Sequence, residues 1–327
     1  MILIFENPKI HLRENTVPFA TDNLSKTLYF LNNESQKLEY DFTELSEIIN
    51  ESFLCEDVIL LSEAKKDYIG SVIKYLNSSK KYINDLWSKF SLEHSLSQKE
   101  NAALVGKAIN GFEANGYVYS GYRYTIRDEN IHIDRVINGS ESEIRRILQN
   151  DGIDKEKEKA SNENLDKIRG RIVGQDRVSS DDFQSELKRH YRNNRTRPVD
   201  ISVDPGMKDE MIDAIFDTDQ HLQKCVHLKN DIIRYIDSLI SYFKNLSSIA
   251  NSGIDKIMKN TESKYMEQNS IKSSDVLELA SASLNYHRKL ISIYTIVLAA
   301  KLDAINERHR VYTRVIKHMM EENSRGE

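Results

Sequence analysis

Glycine and proline are scarce in this chain. Its 327 residues hold 12 of the first and 4 of the second, too few breaks for a turn-dense all-β sandwich and in keeping with long helices joined by few connections. Cysteine is scarcer still. Cys55 and Cys225, far apart, give no disulfide framework and no four-cysteine metal site, so a reducing compartment is expected. No apolar run reaches the roughly 18–20 residues of a membrane span; the best, Ile291–Ala300, is interrupted by Ser292, Tyr294 and Thr295. Met1–Phe5 is too short for the apolar core of a signal peptide, lacks a cationic segment before it and is followed by Glu6. Neither secretion nor membrane insertion is expected. Positive charge is not in excess either: the net charge of −5 and pI near 6.0 exclude a globally basic nucleic-acid binder and leave room for a local patch.

What is present is a soluble composition, 39% hydrophobic and 30% charged with a mean hydropathy of −0.57, enough to build a core in two or three units. Residues 1–55 read as strand and loop. Leu28–Leu31 and Leu38–Phe42 flank Asn32-Asn33-Glu34-Ser35, a turn composition, and Leu38, Tyr40 and Phe42 alternate with polar residues, so a hairpin is expected. Residues 56–96 turn helical. Val58, Leu61, Tyr68, Val72, Tyr75, Tyr82 and Leu86 keep three-four spacing, and a second row widens the stripe until it needs more than one neighbouring helix.

Residues 97–204 read as a small α+β unit inserted between helical arms. Tyr117, Tyr119, Tyr122 and Tyr124 mark a strand over Gly116–Ile126, with a bulge expected at Gly121, and Ile131–Ile137 alternates as a second strand. Ser140 with Glu143 forms a capping box, and Lys155–Lys159 is a linker or an exposed helix surface. Ser180 is expected to cap a helix running to about Tyr191, with a short strand at Val199–Val203. Residues 205–327 read as C-terminal long-helix arms. Cys225, Ile232, Ile236, Leu239 and Phe243 form a coiled-coil-like seam that Asn251-Ser252-Gly253 can break. In the last arm Leu284, Ile291, Leu298, Ile305, Tyr312 and Met319 recur every seven residues, and the companion positions Arg288, Thr295, Leu302, His309 and Ile316 are only partly apolar. Polar residues on a seam select a register or a partner rather than maximise stability. The fold class expected is thus helix-dominated α+β: a long-helix bundle with coiled-coil-like arms and an inserted α+β unit, the 56–96 helix packing on the C-terminal arms.

No catalytic constellation stands out, and no cofactor, metal or catalytic residue is assigned. Asn138-Gly139-Ser140-Glu141-Ser142 lacks the second glycine of a nucleophile elbow, and the carboxylates are dispersed among lysines. Gly170-Arg171-Ile172-Val173-Gly174 lacks the lysine and hydroxyl ending of a phosphate loop. His221, Cys225 and His227 supply at most two ligands on one helix face, and Cys225 is explained as a small hydrophobe on the seam. The basic stretch Lys188–Arg197, with Arg189, Tyr191, Arg192, Arg195 and Arg197, and Arg169 and Arg171 before it, can grip phosphates or an acidic partner. Together with the tyrosine strand at 117–124 it makes a nucleic-acid-binding module the alternative function. Leu298, Leu302, Ile305, Tyr312, Ile316 and Met319 are the candidates for an interaction helix, through which self-association or partner binding is expected, the alternative being a bundle within the chain that buries the whole stripe.

Phe5-Glu6-Asn7-Pro8, then Ile168–Gly174 followed by Ser179-Ser180-Asp181-Asp182-Phe183 and Tyr191-Arg192-Asn193, all ahead of long seam-bearing helices, make a pattern. It resembles uncharacterised virion structural and head-assembly proteins of large tailed phages of low-GC Gram-positive bacteria. The resemblance implies a non-enzymatic structural role in capsid assembly, with other virion or assembly proteins as partners, no membrane, and a location in the virion or the host cytoplasm.

Overall fold

In a computed structural model of the 327-residue chain, the described residues are 23–55, 69–95, 118–121, 155–192, 199–202, 220–259 and 284–306. These residues are overwhelmingly helical. Six helices follow in chain order: α1 (Asn23–Cys55), α2 (69–95), α3 (Lys155–Val173), α4 (Ser180–Arg192), α5 (Gln220–Lys259) and α6 (284–306). Two four-residue strands, β1 (Val118–Gly121) and β2 (Val199–Ser202), pair antiparallel with Tyr119 opposite Ile201 and Gly121 opposite Val199. Among the described residues no helix is long and apolar enough to cross a membrane.

The first helix corrects the expected hairpin. In a strand Leu38 and Tyr40 would share a face, whereas Leu38 is 6% exposed and Tyr40 is 70% exposed. Leu24, Leu31 and Leu38 are buried at a seven-residue spacing with Thr27 between them, one face of a helix. That face outweighs the turn composition of Asn32-Asn33, which merely lies away from the core. Two further expectations change. Helix α5 runs unbroken through Asn251-Ser252-Gly253, because a single helical glycine costs only about 1 kcal/mol. Gly121 carries no bulge: it pairs in continuous register as the last residue of β1.

The core is one cluster. The α2 residues Val72, Leu76 and Ile83 join the α5 seam of Cys225, Ile232, Ile236, Leu239 and Phe243, and α6 runs through the middle. Helix α6 is buried almost all round, with Leu290, Ile291, Tyr294, Val297, Leu298 and Leu302 all inaccessible or nearly so. A helix buried on nearly every side belongs at the centre of a bundle. The short pair α3–α4 contributes Leu165, Ile172, Phe183 and Leu187 to the same cluster, so it is packed onto the bundle rather than held apart from it.

Polar pairs on the rim set the helix directions. Lys80 Nζ donates to Asp237 at 2.6 Å, and the Lys229 ammonium lies 5.5 Å over the Trp87 ring, so α2 and α5 run antiparallel. Helix α2, the described part of the expected 56–96 helix, therefore packs on α5. Asn164 Nδ2 donates to the Tyr286 hydroxyl at 3.2 Å and Lys289 Nζ to Asn162 at 3.1 Å, making α3 antiparallel to α6. Arg288 on α6 reaches Glu39 on α1 at 3.2 Å, while Asp303 accepts from the Asn23 and Leu24 backbone N–H groups at 3.0 Å. Leu24 and Glu39 are fifteen residues apart, as are Arg288 and Asp303, so α1 lies antiparallel along α6 in strict register.

Candidate interaction surfaces and a buried tyrosine–histidine pair

The glycine-bearing segment Gly170–Gly174 is a helix stop. Gly174 has φ +74, the left-handed conformation that closes a helix, and Gln175 N–H donates to the Gly170 carbonyl at 2.8 Å, five residues back. The chain then folds against α3 so closely that a Cβ on Gly170 would lie 2.7 Å from Arg177 N and from Gln175 O. Val178 N–H donates to the Asp166 carbonyl at 3.0 Å and tethers the return. Helix α4 then starts from Ser179, one residue earlier than the expected Ser180. The Ser179 hydroxyl accepts from Asp182 N–H at 3.1 Å and donates to the Asp182 carboxylate at 2.7 Å.

This geometry divides the arginine candidates. Arg169 is buried and donates to Asp166 at 2.6 Å. Its pKa is drawn below the ordinary guanidinium range by desolvation, with the Asp166 and Asp181 carboxylates opposing. It holds the hairpin and is not offered to a ligand, which corrects its place in the expected basic patch. Arg171 and Arg189 are exposed, the latter 3.4 Å from Glu186. Tyr191 and Arg192 lie in the last turn of α4; Arg195 and Arg197 fall outside the described residues. Exposed Asp176, Asp181 and Asp182 share this part of the surface, so its charge is mixed.

The interaction-helix candidates divide similarly. Leu298, Leu302 and Ile305 are 0%, 0% and 2% exposed and are consumed by the chain's own core; Tyr312, Ile316 and Met319 lie outside the described residues. Among the described residues the large hydrophobics that reach solvent are elsewhere: Tyr29 and Tyr40 on α1 and Leu92 on α2. Tyr29 and Tyr40 are eleven residues apart, three helical turns, and share the outward face of α1. Of the metal-like trio, Cys225 is buried in the seam, His221 is half-buried and His227 is exposed. No group of three or more histidine, cysteine or carboxylate side chains that could hold a metal exists among the described residues.

One polar constellation was missed by sequence reasoning. Tyr235 on α5 and His287 on α6, both buried, share a hydrogen bond between the phenol oxygen and Nδ1, and the Tyr286 ring stands edge-on to the imidazole. Desolvation pushes the imidazole down from 6.5 to about 3, so it is neutral at ordinary pH. Tyr75 on α2, also buried, has its hydroxyl pushed up to about 12 by desolvation, with Arg288 opposing. These groups specify how the helices face one another. The seven-residue pattern of α6 carried no sign of the pair, since His287 falls between the seam positions and Tyr235 sits among apolar neighbours. No family model, no curated protein and no solved structure matches this chain.

Proposed function

We propose that this protein is a non-enzymatic structural or assembly protein of a tailed-phage particle, acting in the virion or the host cytoplasm through helical protein–protein contacts. The observation that carries the reading is the exposed aromatic face of α1. Tyr29 and Tyr40 stand in solvent on a helix whose other face is docked in the bundle. Tyrosine supplies large, stiff contact area with a polar tip, which is why it is enriched where proteins meet. The phage assignment rests on the resemblance over residues 165–250. Residues 97–204 are read as an α+β unit closed by the β1–β2 ladder, with its helical pair docked on the bundle. Proteomics of purified particles and assembly intermediates tests the proposal: the chain is expected in one or both, and its absence from both overturns the reading.

Nucleic-acid contact is the second reading, favoured by the exposure of Arg171 and Arg189 on neighbouring helices. It requires single-strand affinity that falls steeply with salt, since phosphate contacts release condensed counterions. Binding insensitive to salt, or none at low salt, removes it.

A further inference from the structure

We propose that α1 is a releasable strap along α6, with Asp303 as its catch, so that the bundle exists in a closed form and a form with α1 lifted. The first ground is how little apolar surface holds it. Over described stretches of similar length α1 buries three large apolar side chains, Leu24, Leu31 and Leu38, whereas α6 buries nine. Segments with few buried apolar contacts open at lower free energy than the rest of a fold.

The second ground is what holds it instead. Asp303 accepts from two N–H groups of the first turn, and Arg288 grips Glu39 fifteen residues further along. Between them the Thr27 hydroxyl bonds the Tyr82 hydroxyl of α2 at 2.9 Å, and Phe30 stacks on the Tyr82 ring at 4.0 Å. Every one of these polar groups is satisfied by water when α1 lifts, so release leaves no orphaned charge.

The third ground lies on α6 itself. The two α6 residues that bond α1, Arg288 and Asp303, are both charged and neither is fully buried. The contacts between α1 and α6 are therefore partly polar, as at interfaces that form and dissolve. The closed state also bears a cost: the Asn23 side-chain nitrogen is buried without a hydrogen-bond partner, a group that water would solvate in the lifted form.

Hydrogen exchange on the full chain, followed by mass spectrometry, tests the device. Amides of residues 28–40 are expected to exchange at least about tenfold faster than those of residues 290–304 under native conditions. Asp303→Ala should raise exchange in α1 several-fold further and leave the α5 and α6 cores unchanged. Glu39→Arg should do the same, and adding Arg288→Glu should restore the original rate in α1. Equal protection of α1 and α6, or an equal rise in α1, α5 and α6 in these variants, means that α1 opens only when everything unfolds, and overturns the proposal. The Glu39 variants alter an exposed position and decide the matter if Asp303→Ala does not fold.

Discussion

Gly170 is the residue least open to exchange in the described chain. A methyl group there meets backbone atoms of Gln175 and Arg177 at 2.7 Å, and backbone cannot swing away as the end of a side chain can. Gly170→Ala is expected to lower stability by about 1–3 kcal/mol, the usual range for overpacking, as read from urea melts. His287 offers a test in pH. Its folded pKa of about 3 lies below the ordinary 6.5, so the unfolded chain takes up a proton that the native state refuses. Stability is unaffected by this group above the unfolded value and falls as pH drops through it toward 3, by about 1.4 kcal/mol per pH unit at most. His287→Phe should flatten the acid limb of a stability-versus-pH profile between pH 6 and 4, and an unchanged slope would contradict the burial assigned to it. Neither effect was visible in sequence. A glycine in a helix-forming segment does not reveal which strand of backbone will pass over it.

The elements show where local chemistry decides and where it yields. Helix α4 starts at a serine with an aspartate three residues on, and the Ser179–Asp182 pair satisfies that signature directly. The neighbouring Ser180 is equally eligible by composition, and the helix stop at Gly174 fixes the entry angle that selects Ser179. Ser179→Ala is expected to cost about 1 kcal/mol, while Ser180→Ala costs only a few tenths, measured side by side by thermal melts. Helix α1 shows local chemistry yielding. Its Asn-Asn-Glu-Ser stretch favours a turn, and its Leu38-x-Tyr40-x-Phe42 alternation favours a strand. The prior claim belongs to Leu24, Leu31 and Leu38, which only a helix presents together to α2 and α6.

At the scale of the whole molecule, the heptad pattern of α6 would suit a partner helix or the chain's own core. Burial of Leu284, Ile291, Leu298 and Ile305 within one chain decides in favour of the core for the described part of the stripe. Ile305→Asp places an unpaired charge in that core, so it is expected to destabilise the fold by several kcal/mol. Light scattering should find no folded Ile305→Asp species of lower order than the wild type at matched concentration. A stable variant that merely dissociates would place Ile305 at an interface between chains.

The sequence by itself determined that the described residues are helix-dominated, that helices α2, α5 and α6 carry matching apolar stripes, and that the polar positions on the last stripe have a positional role. Periodicity is a local property, and it survives any arrangement of the helices that buries it. Only the tertiary structure decided the partners. Arg288 found Glu39, Asp303 found the first turn of α1, and Tyr235 found His287. Each joins residues more than fifty positions apart, for which no spacing rule exists. The same long-range packing turned residues 23–55 from an expected hairpin into a helix, and the fold of α4 against α3 buries Arg169 beside Asp166 and out of the basic patch. A stripe specifies that a face must be covered; the volume, register and charge of the facing surfaces specify by what.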